Sequence, residues 1–315
     1  MKVTVCIPTY NRPDFLKQAI DSCLSQTLLP YEIIIGDDSN DDKTEEMMAS
    51  LQISQDVMMS YHHHTPSLKQ TENTNFLFNH AQGDKVVLLH DDDLLLPEAI
   101  ETMVRICKED PSIEVVYGKQ YLMSDSGEIK YDKSPQLNEA YFRSAAYEGS
   151  KLSPIEAGLI QQFPNNGFMM DTALARRVPW RKTSEIGDTG NGTEMDWSIR
   201  IGLAEPKMYF VNKYLALYRL SEVSMSQNSD DSAFKAYLML ERLNLEPKYS
   251  PIQKLALKRK TQLAIRQALF LNKTKDAFRI FFSKYHTNFI WTKGYYKSLF
   301  LLVLGLFKNG FTTSK

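Results

Sequence analysis

The chain has 315 residues, 43% hydrophobic and 24% charged, a globular composition with enough apolar material for a sizeable core. Its three cysteines, Cys6, Cys23 and Cys107, lack CxxC spacing, which argues against a disulfide framework or a zinc knuckle and for the cytosol. The net charge of −1 hides an asymmetry: residues 248–315 carry fourteen Lys and Arg against one acid, Asp276, leaving about −14 on the remainder.

Residues 3–7 are a short β-branched run ending at Pro8, so a buried strand is expected with no signal peptide ahead of it. Residues 14–27 put Phe15, Leu16, Ala19, Ile20, Cys23 and Leu24 on one helical face, and Pro13 suits the helix entrance. Strands are predicted over 31–36, 57–63, 85–89 and 113–117, and helices over 44–51, 73–81 and 97–108. This alternation predicts an α/β fold, a Rossmann-like and mostly parallel sheet flanked by helices. The polar clusters after the first, second and fourth strands should then converge at the sheet's carboxyl edge. Residues 118–191 are expected as long loops that shape an acceptor site. A helix over 196–203 and short strands over 207–211 and 214–218 follow, and beyond about residue 227 the chain reads as helix.

Three clusters carry candidate chemistry. A buried strand delivers His90-Asp91-Asp92-Asp93 to the mouth of the sheet. Carboxylates this close resist joint ionisation, and a hard Mn²⁺ or Mg²⁺ resolves the conflict while also meeting phosphate oxygens. An acidic turn ahead of the helix at Pro97 is the bland alternative. Asp37-Asp38-Ser39-Asn40 also follows a strand, and an acid there can meet a base or ribose hydroxyl, although the same residues are ordinary turn formers. Pro8-Thr9-Tyr10-Asn11-Arg12 lies where a nucleotide would rest, with Tyr10 able to stack and Arg12 able to pair with phosphate. No glycine-rich phosphate loop is present, which disfavours dinucleotide and ATP-cleaving readings. His62-His63-His64 tempts as a metal cluster, but neighbours on a strand face opposite ways. Asn165-Asn166-Gly167 fits an acceptor contact or an ordinary turn.

Together these residues resemble the family 2 glycosyltransferases of the GT-A fold. The likeness covers residues 3–27, the Asp37-Asp38 strand end and Asp91-Asp92-Asp93, and continues more weakly through 193–200 and 215–219. It implies donor binding by Pro8, Thr9, Tyr10, Asn11, Arg12 and Asp38, with the base near Asp38. Asp91 would lie beside the ribose, and Asp92, helped by Asp93 or His90, would hold the metal. His90 stands where the family places its first Asp. The family's catalytic base belongs to an acidic pair before an Arg. Counted back from Arg200, Glu194 takes the base position and Thr193 its partner's, with Asp196 the nearest other acid. Glu194 is preferred on register, and either could be a helix N-terminal acid only. Arg219 is expected to meet the diphosphate or a structural acid.

The resemblance implies an inverting transfer from a nucleotide sugar to a glycan or lipid-linked acceptor, in bacterial cell-surface polysaccharide synthesis. The expected division is a catalytic domain over 1–225, with a donor half (1–110) and an acceptor half (111–225), and a basic helical extension over 226–315. In that extension Phe281, Phe282, Phe289, Ile290, Trp291, Tyr295, Tyr296 and the apolar run 299–307 alternate with Lys and Arg. The run is too short to span a bilayer, which needs roughly twenty residues. Peripheral contact with the inner face of an anionic membrane is expected, against the alternative of a packed helical tail. No nucleic-acid motif accompanies the charge. The rival classes are a sugar nucleotidyltransferase, which would want a glycine-rich basic loop after the first strand, and a non-catalytic nucleotide-sugar-binding scaffold.

Overall fold

The computed structural model describes residues 1–51, 56–181, 193–220, 231–286, 295–296, 299–300 and 302. Its eight strands form one sheet in the order β3-β2-β1-β4-β7-β6-β8-β5. They are β1 (Val3–Thr9), β2 (Glu32–Asp37), β3 (Met58–His63), β4 (Lys85–Leu88), β5 (Leu94–Leu95), β6 (Val115–Ser124), β7 (Phe168–Asp171) and β8 (Met208–Leu220). β1 to β4 are mutually parallel, β6 runs parallel to β8, and β7 and β5 run antiparallel to their neighbours.

Side-chain alternation along the central strands explains the layers. Val5, Ile7, Ile33, Ile35 and Val87 face helices α1 (Pro13–Leu24) and α4 (Ala99–Glu109) and pack with Leu16, Ile20 and Met103. Cys6, Ile34, Val86 and Leu88 face the other way, onto Leu77 and Phe78 of α3 (Lys69–His80) and onto Trp197. Both faces are covered, so these strands read as continuous apolar runs rather than alternating ones. Helix α2 (Lys43–Ser50) connects β2 to β3.

Of the region 118–191, read as less regular with long loops, residues 118–181 are described and hold more regular structure than that reading gives them. The strand predicted over 113–117 continues as β6 to Ser124, and helices α5 (Ser134–Ala140), α6 (Pro154–Leu159) and α7 (Thr172–Arg177) occupy much of the stretch taken for loops. The two strands expected over 207–211 and 214–218 are one, because β8 follows β6 through a register shift between Tyr117↔Phe210 and Lys119↔Tyr214, and Asn212 and Lys213 lie in that irregularity inside the strand. Their polarity mimics a turn. β5 and β7, of two and four residues, are too short to show a period.

Helix α8 (Thr193–Leu203) is set by close backbone contact with α6. A Cβ on Gly158 would lie 2.4 Å from the Ser198 carbonyl oxygen, and one on Gly202 would lie 2.6 Å from that of Pro154. Trp197 then closes an aromatic cluster with Phe163, Phe168 and Trp180, its indole N–H donating to the Val178 carbonyl at 2.7 Å.

The chain divides into two compact units, Met1–Lys182 with Trp197–Glu222, and Thr183–Asp196 with Val223–Lys315. In the second, α9 (Ser232–Arg242), α10 (Ser250–Phe270) and α11 (Thr274–Phe281) bury Tyr237, Ala264, Ile265, Ile280 and Phe281. Arg279 of α11 pairs with Glu241 of α9 at 2.6 Å. Phe289, Ile290, Trp291 and most of the apolar run 299–307 lie outside the described residues.

Candidate active site

β1 lies between β2 and β4, so the loops leaving all three strands are neighbours. Specific bonds join them. The Thr9 hydroxyl donates to Asp91 Oδ2 at 2.8 Å. Asn11 adopts a left-handed φ of 54°, a conformation its short polar side chain tolerates, and its N–H donates to Ser39 Oγ at 2.8 Å. Asn11 Oδ1 accepts the Asn40 N–H, and Asn40 Nδ2 donates to the Tyr10 hydroxyl, both within 2.9 Å. Tyr10 remains 48% exposed, which leaves its ring available for stacking. Pro8 stands opposite Gly36 in the β1–β2 register. Asp38 is buried and accepts the Leu68 N–H at 2.7 Å, while Asp37 takes the Ser39 N–H and the Tyr61 hydroxyl. Leu68 is a contributor that the sequence did not single out, because it acts through a contact made by folding and no local pattern announces it.

The acid turn follows β4 directly. Arg12 Nη1 sits 2.8 Å from Asp92 Oδ2 and 3.4 Å from Asp91 Oδ1. Burial, and then the neighbouring Asp92 charge, push the Asp91 carboxyl up to about 6 against the pull of Arg12 and Thr9. Burial and the same neighbour hold Asp93 well above the usual carboxylate range. Asp93 Oδ1 accepts the Arg219 N–H at 2.8 Å, but its Oδ2 is buried with no hydrogen-bond partner. His90, Asp92 and Asp93 each offer one ligand atom, all within 4.8 Å of one another. An orphaned buried carboxylate oxygen is costly, and a hard divalent cation would satisfy it. The two carboxylates suit Mn²⁺ or Mg²⁺, whereas the imidazole is a ligand that Mg²⁺ does not favour. Asp91 stands outside this set, tied to Thr9 and Arg12.

Arg219 fastens the turn. Its guanidinium donates to the Asp92 carbonyl, the Asp125 carbonyl and Gln18 Oε1 at 2.7–2.8 Å, and stacks over Phe15. The Arg219 backbone N–H meets the Asp93 carboxylate, whereas its guanidinium is held by carbonyl and amide oxygens. The three adjacent histidines diverge: His62 and His64 pack against Phe76, while His63 turns its Nε2 to the Ser39 carbonyl at 3.0 Å.

Pro8, Thr9, Tyr10, Asn11, Arg12, Asp38, His90, Asp91, Asp92, Asp93 and Arg219 thus gather along one edge of the first unit. Glu194 and Asp196 sit in the first turn of α8 and are counted with the second unit, Asp196 buried and Glu194 half-buried. There Lys260 of α10 is in electrostatic range of Glu194, and burial pulls its ammonium pKa down against that carboxylate.

Comparison with known proteins gives a consistent result. Residues 4–171 match the family model described as Glycosyl transferase family 2. The chain is 23% identical over 244 residues to a GalNAc(5)-diNAcBac-PP-undecaprenol beta-1,3-glucosyltransferase of Campylobacter jejuni, covering 75% of this chain and 71% of that protein. It is 24% identical over 248 residues to the glycosyltransferase GlyA of Streptococcus pneumoniae, covering 78% of this chain and about a third, 34%, of the streptococcal protein. Among solved structures, S. aureus TarS 1-349 in complex with UDP-GlcNAc superposes with a TM-score of 0.59 at 14% identity, covering 97% of this chain and 81% of that one. The mannosyltransferase PcManGT from Pyrobaculum calidifontis, in complex with GDP-Man and Mn²⁺, gives 0.58 at 16% identity, covering 98% and 87%.

Proposed function

The chain belongs to glycosyl transferase family 2 and is a glycosyltransferase of GT-A fold, and from that premise we propose that it inverts the linkage as it transfers a sugar from a nucleotide-sugar donor. The observation carrying the site assignment is the joining of three strand ends by the Thr9–Asp91 and Asn11–Ser39 bonds inside the matched region. The base lies near Asp38 and Tyr10, and the ribose and diphosphate lie towards Asp91 and Arg12. Mn²⁺ or Mg²⁺, held by Asp92, Asp93 and His90, would supply charge neutralisation to the departing diphosphate.

The acceptor hydroxyl gives its proton to the carboxylate of Glu194 or Asp196, with Glu194 preferred, and its oxygen attacks the anomeric carbon. The bond from that carbon to the diphosphate oxygen breaks, and the nucleoside diphosphate leaves.

For the acceptor we infer a glycan on a lipid carrier, in bacterial cell-surface polysaccharide synthesis. The Campylobacter relative's name, an undecaprenol-linked glucosyltransferase, supports that class. Among the described residues no helix is long and apolar enough to cross a membrane. Peripheral contact is supported instead by α10, where Arg259, Leu263 and Phe270 fall on one line and Leu263 and Phe270 are 50% and 69% exposed. Phe282 is 70% exposed beside the exposed Lys284. These exposed aromatic and basic side chains, in a stretch whose sequence carries fourteen Lys and Arg over 248–315, suit an anionic bilayer.

The deciding experiment is sugar-nucleotide turnover with Mn²⁺ by wild type, Asp92→Ala, Glu194→Gln and Asp196→Asn. Loss of donor binding in Asp92→Ala, and loss of turnover with retained donor binding in one of the other two, supports the assignment and names the base. Donor binding without turnover in wild type would promote the scaffold reading.

A further inference from the structure

A buried polar relay in the first unit ends on a donor that has nothing to donate to. Arg143, 4% exposed, donates Nη1 to Gln120 Oε1 at 2.8 Å, and Gln120 Nε2 donates to Asn166 Oδ1 at 2.5 Å. A guanidinium can only donate, which fixes each amide in turn. The Gln120 oxygen must face Arg143, its nitrogen must face Asn166, and the Asn166 nitrogen must point onward. The relay is held firmly. Arg143 also donates to the carbonyls of Gln162 and Gln161, and the Gln120 backbone pairs through both its N–H and C=O with the Asn138 side chain. Asn166 is 0% exposed, and its Nδ2 has no partner. A buried amide donor left without an acceptor is destabilising, so such a group asks for a ligand.

The position of that donor is set by the sheet. Gly167 donates its N–H to the Leu88 carbonyl at 2.9 Å, and Phe168 stands opposite Leu88, so Asn166 lies beside the point where β4 runs into His90. In the order β2-β1-β4-β7, the base-side residues come first, the acid turn next and Asn166 one strand beyond. A relay that fixes a donor end selects for a partner that accepts, and it matters most where that partner cannot itself donate. Sugar hydroxyls both donate and accept, whereas phosphate oxygens only accept.

We propose that Asn166 Nδ2 is a donor to the distal phosphate of the sugar nucleotide, with Gln120 and Arg143 as its positioning residues. This rests on the donor orientation given above, and the test separates the two.

Binding of UMP, UDP, GMP and GDP in the presence of Mn²⁺ is measured by calorimetry for wild type, Asn166→Ala and Gln120→Glu. A Glu at 120 still accepts from Arg143, gaining an ion pair, but cannot donate to Asn166, so the Asn166 amide turns over and presents its oxygen outward. In both variants the diphosphate that wild type binds should weaken about ten- to a hundredfold, with the monophosphate unchanged. Unchanged diphosphate binding in both variants, or equal loss of mono- and diphosphate, would overturn the Asn166 assignment alone. A wild type that binds no nucleotide would overturn the donor orientation and the assignment with it.

Discussion

Arg219 and Asp93 lie 126 residues apart and are joined by a 2.8 Å hydrogen bond from the Arg219 backbone N–H to Asp93 Oδ1. The guanidinium of the same residue reaches the Asp92 carbonyl, so one residue of β8 holds two consecutive acids of the β4 turn. Replacing Arg219 with Ala removes three guanidinium hydrogen bonds at a buried site. A loss of about 2–4 kcal/mol in unfolding free energy is expected from denaturant melts. The stabilisation that Mn²⁺ confers should shrink in parallel, because the turn loses its fastening. Arg219→Lys should recover little, since one ammonium cannot span three divergent acceptors.

Arg12 pairs through its guanidinium with both Asp91 and Asp92. A divalent ion binding Asp92 must displace that contact. In Arg12→Ala, Mn²⁺ alone should therefore bind several-fold more tightly by calorimetry, while nucleotide affinity falls because the freed guanidinium is no longer there for phosphate. Weaker Mn²⁺ binding in this variant would mean that Arg12 organises the turn instead of competing for it.

Gly158 lets α6 approach α8 backbone to backbone. The obstacle to a Cβ there is the Ser198 carbonyl, which is main chain and cannot swing aside as a side chain would. Gly158→Ala should cost about 1–3 kcal/mol and shift α8, the helix that begins with Glu194 and Asp196. The kinetic signature is a fall in kcat larger than any change in donor KM, since the donor residues lie on other elements.

Cys23 is fully buried on α1, and burial pushes its thiol up to about 12. In the unfolded chain a cysteine titrates near about 8.5. With the folded value the higher one, the contribution of the neutral thiol is whole below pH of about 8.5 and is lost as pH climbs towards 12. Wild type should therefore lose stability between pH 8 and pH 10 more steeply than Cys23→Ala, at a rough pH range set by those two values. A thiol reagent should label no cysteine until denaturant is added, because Cys6, Cys23 and Cys107 are all buried.

The strands at the sheet's centre and the residues at their ends were legible in the chain because both are local signals. β1, β2 and β4 are short apolar runs, and each is followed at once by its polar cluster, so parallel pairing alone gathers Thr9, Asp38 and Asp91 to one edge. The acid triplet was legible as a dense charge cluster at a strand end, and Pro13 marked the start of α1. What the tertiary structure decided is whatever depends on a partner far along the chain. β7 is four residues long and exists because Val86 and Val115 flank it in the sheet. Asn212 and Lys213 separate two strands by their polarity, yet they sit inside one strand, β8, where its pairing with β6 shifts register. Arg219 looked equally suited to a phosphate or an acid until folding set it against Asp93, Asp92, Asp125 and Gln18. Asn166 looked like a turn residue, and its orphaned donor follows from a chain of hydrogen bonds starting at Arg143. Periodicity and composition report what each segment would bury. Hydrogen-bond polarity and close backbone approach are properties of pairs, and those pairs exist only once the chain has folded.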